Sequence, residues 1–175
     1  PPNPPCQGGQ RLFTFPLSSF LFPLFLMARR QGRELAFRTL FQAERGKLPL
    51  LEAWQQVRED LAETIDDEDD TLELDGEAID LADKLIQTYA GNQETIDKRL
   101  QDSVEGWTFS QMAQTDLNVL RLALTELLYD ESVPNKVTLE MAVRLAKKYG
   151  GEESGKFVNG VLGRFVRNQV KVNDQ

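Results

Sequence analysis

Lys156-Phe157-Val158-Asn159-Gly160-Val161-Leu162 sets a cation, a ring and a bare stretch of backbone side by side in an otherwise helical pattern. At about 100° per residue, Val158, Val161, Leu162, Phe165 and Val166 cluster on one arc, the core face. Glu153, Phe157, Gly160 and Arg164 fall on a second arc at its edge and beyond, with Lys156 and Arg167 close by. Such an arc suits single-stranded RNA: a base stacks on the ring while cations meet phosphates. The competing reading makes Phe157 a rim residue of the core. Gly160 costs about 1 kcal/mol against Ala in mid-helix, so the pattern asks for close backbone approach there.

A second group, Arg29, Arg30 and Arg33 with Arg38 beyond, lies at the start of a helical pattern. Guanidinium forks match phosphate oxygens. Cations at a helix N-terminus oppose the macrodipole at a cost of a few tenths of a kcal/mol, which hints at another use. Arg33 shares a helix side with Phe37, so it has to reach past the end of the core. The bland reading is a solvated helix start.

Other chemistry is thinly supplied. The chain has no His, which removes Ser-His-Asp triads, His-ligated zinc fingers and the Glu-x-x-His pairs of di-iron bundles. Its single Cys, Cys6, makes no intrachain disulfide. Asp66–Asp70 fails the calcium-loop pattern, with Thr71 where Gly is required; it reads as a solvated loop. No Gly-rich phosphate loop, paired carboxylates or nucleophile–base arrangement stands out, so neither catalysis nor a metal or cofactor is expected. The net charge of −8 argues against nucleic acid only at first sight. Residues 59–80 hold twelve acids and no base; without them, residues 27–175 carry 19 bases against 16 acids. The chain is therefore electrically polar.

The elements that must position these residues read as helices throughout. Expected are Arg30–Arg45, ending at Gly46; a helix opened by Pro49 with the stripe Leu50, Leu51, Trp54, Val57 and Leu61; Glu77–Ala90, stopped by Gly91-Asn92; and Gln93–Leu100. After an irregular patch at Gly106-Trp107-Thr108, Thr115 caps Asp116–Asp130, whose Asp116 suits the helix dipole. A sixth helix runs from Asn135 or Thr138 to Gly150-Gly151, and a seventh from Glu152 to about Gln169. No sustained period-two alternation appears. The sequence predicts an all-α bundle of about seven helices forming one domain over 27–175.

Residues 1–26 are compositionally different: four Pro in the first five positions, then an apolar run broken by Pro16 and Pro23. The run is too short and interrupted to span a membrane. With Met27-Ala28-Arg29-Arg30 following, it lacks a signal peptide's order of charge and cleavage site. We read Met27 as the start, and residues 1–26 as a disordered leader or misassigned translation.

Several blocks in order resemble the transcription antitermination factor NusB family. They are Arg33-Glu34-Leu35-Ala36 with Leu40-Phe41, Leu120 through Leu127, Val133-Pro134-Asn135-Lys136-Val137, Glu140 through Gly150, and Lys156 through Leu162. The similarity covers about residues 28–167. It implies a fold of two small helical subdomains, a cytoplasmic setting and binding of boxA RNA in ribosomal RNA transcripts jointly with the ribosomal protein NusE. With other Nus factors, that pair would join the RNA polymerase elongation complex. By the same resemblance, the RNA-facing positions fall on Arg29, Arg30, Arg33, Glu153, Lys156 and Phe157. The NusE-facing positions fall on Phe41 and Asp116. Gln31-Gly32 interrupts the arginine run, and Phe41 lacks the hydroxyl of a family Tyr. A homodimer is compatible with the sequence. Two alternatives stay open: a NusB-like fragment of an rRNA cytosine methyltransferase, and a helical interaction or dimerisation module without RNA.

Overall fold

The computed structural model describes residues 18–64, 76–104 and 106–173, with side chains described over 27–62, 76–104 and 106–169. These residues form six α-helices and one 3₁₀ turn: α1 (Ser18–Gly46), α2 (Leu50–Thr64), α3 (Gly76–Ser103), the turn Phe109–Gln111, α4 (Gln114–Tyr129), α5 (Asn135–Gly150) and α6 (Glu152–Asn173). α1, α2 and α3 pack on one another, α4 joins α1 and α3 to α5 and α6, and α5 lies along α6. No helix among the described residues is long and apolar enough to cross a membrane.

Six helices replace the expected seven because Gly91-Asn92 bends a helix without ending it. Asn92 leaves helical geometry (φ −128°, ψ 16°), and its Nδ2 donates to the Thr88 carbonyl at 2.8 Å. The side chain bridges the bend, so the helix resumes directly and runs on to Ser103. α4 begins before Thr115: Ala113 is its N-cap, and the Ala113 carbonyl accepts from the Leu117 N–H at 3.0 Å. α1 starts at Ser18, so the part of the expected disordered leader from Ser18 to Leu26 is helical. Residues 1–17 and the acidic run Asp66–Asp70 lie outside the described residues.

One continuous core runs through all six helices, with Ile86, Ile96, Leu100, Leu120, Leu124, Val158 and Leu162 fully buried. Each such side chain contributes about 1.5–3 kcal/mol through burial. Trp54 takes the inner position of the α2 stripe, with its Nε1 donating to Asp83 Oδ1 at 2.7 Å. Leu51, expected on that stripe, is exposed.

Candidate nucleic-acid interface

α6 is set by the turn before it. Gly151 closes α5 with φ +87°, a value L side chains rarely adopt, and its N–H donates to the Lys147 carbonyl at 3.0 Å. α6 therefore starts at once and runs back along α5. The contact is close: a Cβ on Gly155 would lie 2.4 Å from Lys147 Cγ. This fixes the rotation of α6, burying Val158, Val161, Leu162 and Phe165 and turning Lys156, Asn159, Gly160 and Arg164 outward, as the periodicity predicts.

Phe157 sits on the boundary. Half-buried, it packs on the core edge while its ring meets that of Trp107 edge-on, with centroids 5.8 Å apart and planes inclined by 62°. Phe157 thus closes the core edge and also lies at the surface. Lys156 beside it is exposed and pairs with Glu153 at 2.6 Å. An exposed pair of this kind holds its partners loosely and exchanges readily for another anion. A Cβ on Gly160 would meet nothing within 4 Å, so the expected close approach is absent and the backbone there faces open space.

Trp107 is the residue sequence reading passed over, seen only as part of an irregular patch. Trp107 is 50% exposed. Gly106 carries φ +77°, the Trp107 N–H reaches the Val104 carbonyl at 3.4 Å, and the Trp107 carbonyl accepts from Gln101 Nε2 at 2.9 Å. Just beyond, the Thr108 N–H donates to Gln111 Oε1 at 2.9 Å. A large ring between a glycine and a helix-initiating Thr was the available signal.

The arginines divide. Arg30 is exposed and lines a cleft of about 510 Å³ with Glu34, Arg38 and Lys148 over a floor that includes Leu35, Val57 and Leu61. Arg29 is half-buried, and its carbonyl accepts from Arg33 Nη1 at 3.1 Å. Arg33 lies deeper: its side chain is 12% exposed and gives Nε and Nη2 to Glu126 of α4. That carboxylate uses the fork that phosphate would need. Arg29, Arg30 and Arg33 belong to the α1 side of the molecule, whereas Glu153, Lys156 and Phe157 form one strip on α6 beside Trp107.

The two partner-facing positions also differ. Phe41 is half-buried at the end of a row of rings, 6.0 Å from Phe37, which lies 4.7 Å from Tyr149; the Arg45 guanidinium sits 5.7 Å over the Phe41 ring. Asp116 is only 7% exposed and lies against the α5–α6 turn. A Cβ on the adjoining Gly150 would lie 3.4 Å from its Oδ1, which has no hydrogen-bond partner. Its place in the first turn of α4 leaves the dipole as its main support.

Fold and strip together define an all-helical protein with a ring-and-cation surface, in which no group of three or more His, Cys, Asp or Glu among the described residues could hold a metal. The sequence profile of the NusB family matches residues 30–167, and the chain belongs to that family. It is 47% identical over 139 residues to the transcription antitermination protein NusB of Thermus thermophilus, covering 79% of this chain and 90% of the relative. Thermotoga maritima NusB, in a solved structure, superposes with a TM-score of 0.67 at 37% identity, covering 79% of this chain and 90% of that one. A chain from the crystal structure of antitermination factors NusB and NusE in complex with dsRNA superposes with a TM-score of 0.67 at 27% identity, covering 82% and 98%.

Proposed function

We propose that this protein is a transcription antitermination factor that binds boxA RNA of ribosomal RNA transcripts together with NusE. In this reading it acts without catalysis, in the cytoplasm, and joins the RNA polymerase elongation complex with other Nus factors. Supporting it are membership of a family whose T. thermophilus relative is named for antitermination, and a similar NusB chain solved with NusE and dsRNA.

The observation that carries the RNA surface is the α6 strip: Phe157 with one side free of the core, exposed Lys156 next to it, and open backbone at Gly160. Arg29 and Arg30 add phosphate contacts from α1. Phe41, with Arg45 and Tyr149 beside its ring row, offers an aromatic surface for NusE, and Asp116 in the first turn of α4 is the second NusE position.

A fluorescence titration of labelled boxA RNA, with and without NusE, tests the proposal. Binding is expected to tighten with NusE and to weaken for Phe157→Ala by about 1–3 kcal/mol, the value of one base–ring stack. Equal affinity of the complex for scrambled and boxA RNA would overturn sequence-specific binding.

A further inference from the structure

We propose that Trp107 is a second stacking ring, so that the α6 strip takes two successive unpaired nucleobases of an RNA single strand. The inference rests on the reading of Phe157 as an RNA-facing ring and extends it to a residue on a different element.

Three observations converge. The indole is half exposed although it touches the core-edge Phe157; closing that edge alone would not require leaving so much apolar surface in water. Its position is fixed beforehand by the left-handed Gly106, the Val104 and Gln101 hydrogen bonds and the Thr108–Gln111 lock. Little ordering cost then remains when a base arrives. The geometry also sets what kind of strand fits. Successive bases in a helical strand lie about 3.4 Å apart. Rings 5.8 Å apart and inclined by 62° neither sandwich one base nor continue one stack. Each ring offers a surface to a different base, and the two bases are splayed. A paired duplex keeps its bases stacked and cannot meet both rings, whereas an unpaired strand can. Lys156 lies on the same helix for the phosphate between those bases, and the open space at Gly160 leaves room for the strand.

The chain carries its own reporter. Of its two tryptophans, Trp54 is buried at 2% exposure and Trp107 is half exposed, so a change in tryptophan fluorescence on RNA addition reports Trp107. The full-length protein is titrated with single-stranded boxA RNA and with a fully paired duplex of the same sequence. The single strand is expected to quench wild-type fluorescence and shield it from acrylamide. Trp107→Ala and Phe157→Ala are each expected to weaken binding roughly five- to 150-fold, with Trp107→Phe recovering part of the loss. Loss of affinity in Phe157→Ala but not in a folded Trp107→Ala would overturn this inference and leave the RNA reading intact. No loss in either variant would overturn both. Because Trp107→Ala could itself disturb the loop, the wild-type acrylamide measurement stands alone: no shielding at saturating RNA refutes the proposal. Equal affinity for the duplex refutes the unpaired-base geometry.

Discussion

Arg33 of α1 and Glu126 of α4 meet as a two-pronged ion pair, with Nε 3.2 Å and Nη2 2.7 Å from the two carboxylate oxygens. Thr138 of α5 donates to the same carboxylate at 2.7 Å, so three helices are tied at one point. Glu126 is 2% exposed, and a lone guanidinium left there lacks both partner and water. Glu126→Ala is therefore expected to cost about 3–5 kcal/mol in denaturant unfolding, the range for breaking a buried pair from one side. Glu126→Gln keeps a hydrogen-bond acceptor and is expected to cost less. Equal stability of wild type and Glu126→Ala would show that the pair contributes nothing net.

The arginines that remain at the surface give a prediction of another kind. Each phosphate contact on a single strand contributes about 0.7 to the slope of log affinity against log salt. Arg30→Ala is expected to lower that slope by about this amount while leaving thermal stability nearly unchanged, since Arg30 is exposed. Arg33→Ala is expected to do the reverse, lowering stability first. A slope unchanged by Arg30→Ala would remove α1 from the RNA surface.

The contrast between Arg30 and Arg33 shows what the sequence could and could not reveal. Helical phase separated the buried Val158, Val161 and Leu162 from the outward Lys156 and Gly160, because a helix face depends only on local spacing. Gly150-Gly151 and Pro49 marked their helix ends for the same local reason. Arg33 looked like its neighbours because its partner Glu126 is 93 residues away, beyond any local pattern. Arg121 is similar: it ties Asp97 of α3 at 2.9 Å and also pairs with Glu44 of α1. Asp116 appeared as a helix-start acid, and only the packing of the α5–α6 turn against it shows that it is buried. Trp107 went unread because a ring in an irregular segment has no periodicity to place it.

Stability should fall at both ends of the pH scale through one cluster. Burial raises the pKa of Glu34, but hydrogen bonds from Lys148 and Tyr149 and the charges of Lys148 and Arg30 outweigh it and hold the group below its ordinary value. A carboxylate lowered in the folded state adds stability above its unfolded pKa of about 4, lost as pH falls through the folded value. The Tyr149 hydroxyl, pushed up to about 12 by burial and by Glu34, works in the other direction. Its contribution is present below about 10, the unfolded value, and is lost as pH rises toward 12. Unfolding free energies measured from pH 3 to 11 should show both limbs. Glu34→Gln should flatten each of them; a variant curve parallel to wild type would assign the limbs to other groups.

Two glycines should respond oppositely to the same substitution. Gly32 lies where α1 crosses α3, and a Cβ there would stand 2.6 Å from the Ala78 carbonyl oxygen and 3.0 Å from Leu81 Cβ. The first neighbour is backbone and cannot rotate away, so Gly32→Ala has to push two helices apart, at about 1–3 kcal/mol. Gly160 has nothing within 4 Å, and it sits well inside α6. There Ala removes backbone freedom from the unfolded chain without a clash, and stability should rise by about 0.4–1 kcal/mol. Thermal melts of the two variants test both signs. Binding then separates the uses of the bare backbone. If RNA approaches α6 at Gly160, the stabilised Gly160→Ala protein should bind boxA RNA more weakly than wild type despite its higher melting temperature. If it binds equally well, the strand passes over Phe157 and Lys156 without touching the backbone beside them.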